Sequence, residues 1–96
     1  MIFLTITGNV GQDAQIKEMK EGKKLFFTVA SSDNAKTHWV NCFLSFNDGS
    51  KAIDLLKKGV RVIIQGYVFQ TFYESEGQKI PSLSANVSYY EVVKSN

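Results

Sequence analysis

The chain has 96 residues, of which 44% are hydrophobic and 21% charged, a balance that excludes a disordered or collagen-like chain and predicts a single domain over residues 1–96. The net charge of +2 gives only weak support for an acidic partner. One cysteine and one histidine exclude an internal disulfide and a zinc site built from those residue types, so a reducing, intracellular environment is expected.

Strand patterns cover most of the chain and are separated by short turn signals. β-rich or alternating segments predict strands at residues 2–7, 25–30, 39–44, 61–73 and 84–93. Turns are predicted at residues 8–9, 21–22, 32–34 and 76–77. Gly66 lies inside the fourth predicted strand, where we expect a bend or a β-bulge.

A single helix is predicted over residues 50–58. Ile53 and Leu56 share one face of it, and Gly59 is a typical residue for its C-terminal end. Three strands, a helix and two or three further strands with short loops favour antiparallel pairing. We therefore predict an all-β OB-fold, a five- to six-stranded antiparallel Greek-key barrel with one short helix between strands three and four.

The third and fourth predicted strands each combine an apolar face with a mixed one. The faces predicted to line the core consist of Val40, Cys42, Leu44 and Phe46 in the third strand and Val62, Ile64, Gly66 and Val68 in the fourth. The outer faces consist of Trp39, Asn41, Phe43 and Ser45, and of Arg61, Ile63, Gln65, Tyr67, Phe69, Thr71 and Tyr73. Cys42 is therefore expected to be an inert core thiol.

Aromatic and basic residues interleave on these outer faces, and the combination is typical of single-strand binding. Every nucleobase has a π-face, so an exposed ring can stack on it whatever the sequence, which contributes roughly 1–3 kcal/mol per base. Lysine and arginine hold phosphates and release counterions. The same rings would also suit a subunit interface, with Ile63 and Phe69 at a dimer seam, and both interpretations stay open.

Short motifs follow one another along nearly the whole chain. They are Gly8-Asn9-Val10-Gly11-Gln12-Asp13, Phe27-Thr28-Val29-Ala30-Ser31, Thr37-His38-Trp39, Leu56-Lys57-Lys58-Gly59 with Val62-Ile63-Ile64-Gln65-Gly66, and Glu76-Gly77-Gln78. In order and spacing these motifs resemble the bacterial-type single-stranded DNA-binding protein family. The resemblance implies an OB-fold that binds single-stranded DNA with little sequence preference, as a dimer or tetramer.

The resemblance also implies roles for individual residues. Trp39 falls on a stacking tryptophan of the family, and Tyr73 falls on a second one, where tyrosine keeps a flat ring. The strand pattern, apart from the resemblance, predicts that Phe43, Tyr67 and Phe69 extend this platform or contact a second subunit. By their charge, the candidates for phosphate contact are Arg61, Lys23, Lys24 and Lys79.

The sequence departs from the family pattern in several respects, of which three bear on binding and on the end of the chain. Ser45 stands where a stacking phenylalanine is usual, although Phe46 is adjacent. Phe69 and Thr71 replace arginines of the long strand, so we expect binding to depend more on rings and less on charge. The acidic tail typical of the family does not follow Asn96, which suggests a trimmed chain or a tail-less phage, plasmid or primosomal-type relative.

The sequence thus predicts a protein that coats and protects unpaired DNA in replication, recombination or repair. No catalytic constellation or metal-ligand spacing is present, so no enzyme activity, metal or cofactor is predicted. The expected partners are single-stranded DNA, further copies of the chain and replication proteins, in the cytoplasm of a bacterium or of a phage or plasmid host. The alternatives are a primosomal-type module that docks replication proteins, an OB oligomerisation module without nucleic acid, and an RNA-binding OB domain.

Overall fold

The computed structural model of the protein describes residues 1–20, 22–34, 36–45 and 51–93. Six strands and one short helix follow one another in these residues. They are β1 (Ile2–Val10), β2 (Gln15–Met19), β3 (Gly22–Asp33), β4 (Lys36–Ser45), α1 (Ala52–Leu55), β5 (Arg61–Ser75) and β6 (Gln78–Val92). Phe46, the first residue of the predicted helix and part of the predicted turn at residues 21–22 lie outside the described residues.

All six strands belong to one sheet that closes into a barrel. The sheet order is β1-β5-β6-β4-β3-β2, and an additional pairing of β1 with β3 at Asn9 and Val10 joins the two halves. The longest pairing is the hairpin of β5 and β6, which runs from Val62 opposite Val92 to Ser75 opposite Gln78. The predicted all-β OB-fold is confirmed.

Two details of the barrel differ from the prediction. β4 and β6 pair in parallel, because β6 reaches β4 as the return strand of the long hairpin and not through a tight turn. The helix follows the fourth strand and not, as predicted, the third. The difference arises because the prediction lacks the strand β2. All five residues of β2 are exposed, and they carry no alternation of buried and exposed positions that a sequence pattern could detect.

The core is formed by the inward faces that the alternation predicts. Most buried apolar side chains come from three strands, namely Leu25, Phe27 and Val29 in β3, Val40, Cys42 and Leu44 in β4, and Val62, Ile64 and Val68 in β5. Val10 of β1 and Ala85 of β6 are buried with them. Ala52 and Leu56 complete the same cluster from α1 and its C-terminal end. Gly66 is also inward-facing, so the predicted parity of the long strand is confirmed.

The helix is shorter than predicted, and Leu56 explains why. Its backbone leaves the helical conformation, with ψ of 75°, as its side chain enters the core. Its carbonyl oxygen accepts a hydrogen bond from the backbone N–H of Ala14 at 3.0 Å. Two residues later, the backbone N–H of Lys58 donates to Oδ1 of Asp13 at 2.8 Å. A tertiary hydrogen bond therefore replaces the helical one that Lys58 would have made, and the Lys57 N–H donates locally to the Leu55 carbonyl oxygen at 3.1 Å.

The predicted bulge at Gly66 is confirmed. Gln65 pairs with Tyr89 and Gly66 with Val87, so Ser88 is the extra residue on β6. The Ser88 hydroxyl donates to the carbonyl oxygen of Gln65 at 3.3 Å. A Cβ on Gly66 would collide with the backbone of Asn86, so the close approach of the two strands requires glycine there.

Candidate nucleic-acid interface

The strand register brings the outward residues of five strands onto one surface, which we call the ring face. Phe43 of β4 lies between Phe26 of β3 and Asn86 of β6, and Asn86 in turn pairs with Tyr67 of β5. The ring face consists of Lys17, Met19, Lys24, Phe26, Thr28, Trp39, Asn41, Phe43, Tyr67, Phe69, Thr71, Tyr73, Ser82, Ser84 and Asn86. Directly paired residues point to the same side of a sheet, so this surface follows from the register.

Trp39 and Tyr73 line one shallow depression at the hairpin end of the ring face. Trp39 is 57% exposed and Tyr73 is 54% exposed. Pro81 and Leu83 of β6 lie in the same depression. The two rings that the resemblance places on stacking positions are thus neighbours, and both present aromatic surface to solvent.

Phe43 lines a second depression together with Lys24 and Asn41. Its ring packs on that of Phe26, with 5.2 Å between ring centroids and an angle of 49° between their planes. Lys17 places its Nζ atom 4.4 Å from the centroid of the Phe26 ring, a cation–π contact. Ring surface and positive charge therefore occur together in this part of the ring face.

Hydrogen bonds join polar residues that line the second depression to Ser82, which lines the first. Asn41 Nδ2 donates to Ser82 Oγ at 2.9 Å. The Thr71 hydroxyl donates to the Ser82 carbonyl oxygen at 3.3 Å and lies 3.2 Å from Ser84 Oγ. Among the described residues, every buried side-chain nitrogen and oxygen has a hydrogen-bond partner. This hydrogen-bonded floor connects the two depressions.

Tyr67 and Phe69 continue the ring face towards β1. They line a third depression with Ile2 and Asn86, and Phe69 and Asn86 also line the second one. The Tyr67 ring meets Phe3 edge-to-face, with 5.0 Å between ring centroids and an angle of 66° between the planes. The exposed rings are therefore distributed over contiguous depressions and are not isolated.

The four predicted phosphate ligands do not lie together. Lys24 is half-buried on the ring face. Lys23 faces the other side of β3 and lies opposite Glu18 in the strand register. Lys79 lies opposite Glu74 in the register of the hairpin, and both face the side opposite to Tyr73. Arg61 begins β5 beside Asn9, six residues and about 20 Å of strand before Tyr67.

Phe26, Lys17 and Asn41 belong to the ring face but were not among the predicted site residues. Phe26 could have been found, because it lies between the apolar residues Leu25 and Phe27 in a predicted strand and must face the side opposite to theirs. Lys17 lies on β2, the strand that the sequence pattern does not show. Its position becomes apparent only from the pairing with Lys24.

Neither a thiol nucleophile nor a metal cluster is found in the part of the chain that the structure describes. Cys42 is buried, and burial raises the pKa of its thiol to about 12. A thiol with this pKa is almost wholly protonated at neutral pH and is a poor nucleophile. No group of three histidine, cysteine, aspartate or glutamate residues could hold a metal ion, and no helix is long enough to cross a membrane, within those same residues.

A closed barrel of this topology, with rings and lysines on one outer face, is the arrangement by which OB-fold proteins bind single-stranded nucleic acid. The sequence matches the single-strand binding protein family over residues 1–93, and the chain belongs to that family. No curated protein sequence gives a significant match.

Solved structures of single-strand binding proteins share the fold. A small single-stranded DNA-binding protein from Streptomyces coelicolor superposes with a TM-score of 0.83 at 18% identity, covering 96% of this chain and 94% of that one. The mitochondrial single-stranded DNA-binding protein Rim1 of S. cerevisiae gives 0.79 at 18% identity, over 99% and 97% of the two chains. The SSB of Plasmodium falciparum in complex with single-stranded DNA gives 0.72 at 23% identity, over 98% and 96%.

Proposed function

We propose that the protein binds single-stranded DNA with little sequence preference and that the ring face is its DNA-binding surface. The observation that carries this proposal is the contiguous series of partly or fully exposed rings on that face, namely Trp39, Tyr73, Phe43, Phe69 and Tyr67. Membership of the single-strand binding protein family supports it, and the structurally similar P. falciparum protein was solved with single-stranded DNA.

In the proposed mechanism, aromatic rings contact the bases and lysines contact the phosphates. Bases stack on Trp39 and Tyr73 in the first depression and on Phe43 and Phe69 in the second, because unpaired bases have free π-faces. Lys24 and Lys17 neutralise phosphates beside the second depression. Duplex DNA binds poorly, since its bases are already stacked on one another.

Three of the predicted cations have a more limited role in this proposal. Arg61, Lys23 and Lys79 would contact phosphates only where the strand leaves the ring face or passes onto another subunit. Their contribution is then electrostatic and independent of base stacking.

The chain has a single tryptophan, so its fluorescence reports on Trp39 alone. Titration with a thymidine oligomer is expected to quench this emission strongly, and a duplex of the same length is expected to compete weakly. A uridine oligomer in the same assay separates DNA binding from RNA binding. Unchanged emission, together with no binding of a labelled oligomer, would contradict the proposal.

We further propose that the protein works as a homo-oligomer that coats unpaired DNA in replication, recombination or repair. β1 pairs with β5 through Ile2 and its neighbours, but with β3 only at Asn9 and Val10. Its other edge over residues 2–7 is therefore available for pairing with a second copy. Ile2 and Leu4, at 60% and 43% exposure, supply apolar surface there.

Light scattering on the purified protein tests the oligomer. The substitution L4E places a charge in the proposed seam and is expected to lower the mass to that of a monomer. S75E adds the same charge at an exposed residue at the end of β5, beyond its pairing with β1, and is the matched control. A wild-type protein that is monomeric at micromolar concentration would contradict this part of the proposal.

A further inference from the structure

The indole of Trp39 lies against Gly11, and the contact leaves no room for a side chain there. A Cβ added to Gly11 would lie 3.2 Å from Cη2 of Trp39 and closer still to Cζ3, nearer than real Cβ atoms come. It would also lie 2.8 Å from Oγ1 of Thr28. Trp39 pairs directly with Ala30 of β3, so the indole extends from β4 across small β3 residues to Gly11.

The backbone around Gly11 cannot easily move away from the ring. The Gly11 N–H donates to the Thr28 carbonyl oxygen at 2.9 Å. The preceding residue, Val10, is bonded on both sides, because its N–H donates to Val60 at 2.8 Å and its carbonyl accepts from Gly59 at 2.8 Å. Val10 is also almost completely buried. If a side chain is added at Gly11, the indole and the Thr28 hydroxyl are therefore the groups that must shift.

We propose that Gly11 is a positioning residue for DNA binding, because its missing side chain lets the Trp39 indole rest on the barrel wall in one orientation. The ring keeps this support while 57% of Trp39 stays exposed to stack on a base. A ring that is already ordered loses less rotational freedom on binding than a free one. The inference rests on the proposed function, since it assumes that Trp39 stacks on DNA.

The substitution G11A tests this role. In the absence of DNA, we expect the Trp39 emission to shift to longer wavelength and its anisotropy to fall, because the indole is displaced from the wall. Affinity for a thymidine oligomer is expected to fall by about tenfold, which is at the lower end of the effect of losing one base–ring stack. Q12A, an exposed change at the next residue, is the matched control and is expected to bind like wild type.

A double-mutant cycle with W39F separates positioning from a general loss of stability. Phenylalanine lacks the outer indole atoms that a side chain at Gly11 would meet. The Thr28 hydroxyl is present in all four proteins, so its contact with the added side chain cancels from the coupling energy. Binding is measured by the anisotropy of a labelled thymidine oligomer. We expect G11A to weaken binding about tenfold in the Trp39 protein but less than about twofold in the W39F protein.

The outcomes distinguish the two proposals. Equal effects of G11A in both backgrounds, or wild-type emission and affinity in G11A, would overturn the role of Gly11 and leave DNA binding intact. If the wild-type protein itself neither binds the oligomer nor shows quenching, the proposed function fails first. A G11A protein that is less stable still answers the question, because the cycle compares it with the G11A/W39F protein.

Discussion

Phe26 and Phe27 are adjacent phenylalanines on the same strand, and strand parity gives them different surroundings. Phe27 is completely buried in the core, whereas Phe26 is half-buried on the ring face against Phe43. Trp39 follows the same rule, since the next residue, Val40, is 2% exposed. An aromatic ring on an outward position contributes less to the core, so its presence there needs another explanation.

The first prediction concerns the cost of removing an outward ring. W39A is expected to weaken binding of a thymidine oligomer by roughly 1–3 kcal/mol, the value of one base–ring stack. The free energy of unfolding should change much less than in F27A, which removes a buried ring at about 3–5 kcal/mol. Oligomer anisotropy and urea denaturation measure the two quantities. A W39A protein that binds like wild type would remove Trp39 from the interface.

The second prediction concerns the buried thiol of Cys42. Its folded-state pKa of about 12 lies above the ordinary value of 9.0, so the folded protein holds this proton more tightly than the unfolded chain. The resulting stability is fully present below about pH 9 and is lost as the pH rises towards about 12, at about 1.4 kcal/mol per unit. C42A lacks this group and should show a flatter decline in urea denaturation over the same interval. Parallel declines in the two proteins would contradict the shift.

At the scale of elements, alternation predicts the core well and the long-range pairings poorly. The inward sets of β4 and β5 follow from a period of two, which depends only on neighbouring residues. The parallel pairing of β4 with β6 depends on how far the β5–β6 hairpin extends, and the hidden strand β2 depends on pairing with β3. Charge alone predicts that Lys23 and Lys79 act together with Lys24, whereas parity and register put them on other faces.

The third prediction compares two glycines of the long hairpin. G66A is expected to lower the free energy of unfolding by about 3 kcal/mol, because the added Cβ meets the Asn86 backbone and the strands must separate. Gly77 has nothing within 4 Å of an added Cβ, but its φ of 78° makes alanine unfavourable by about 1 kcal/mol. Urea denaturation of G66A and G77A measures both costs. An equal cost for the two would show that strand separation at the bulge is not required.

On the scale of the whole molecule, the ring face carries little charge for a nucleic-acid surface. Lys17 and Lys24 are its lysines, and Lys17 is held near the Phe26 ring. Affinity for single strands falls with salt by about 0.7 in log K per log unit of salt for each phosphate neutralised. Stacking has no such dependence, so a surface with many rings and few cations should lose little affinity when salt is raised.

The last prediction follows from this balance. Between about 50 and about 200 mM salt, the wild-type protein is expected to show a slope near 1.4 for two phosphate contacts, and K17Q is expected to lower it by about 0.7. K57Q, a change just after α1 and off the ring face, is the matched control and should leave the slope unchanged. Oligomer anisotropy at several salt concentrations measures the slopes. A steep slope that K57Q lowers as much as K17Q does would mean that the strand is held by diffuse charge and not by the ring face.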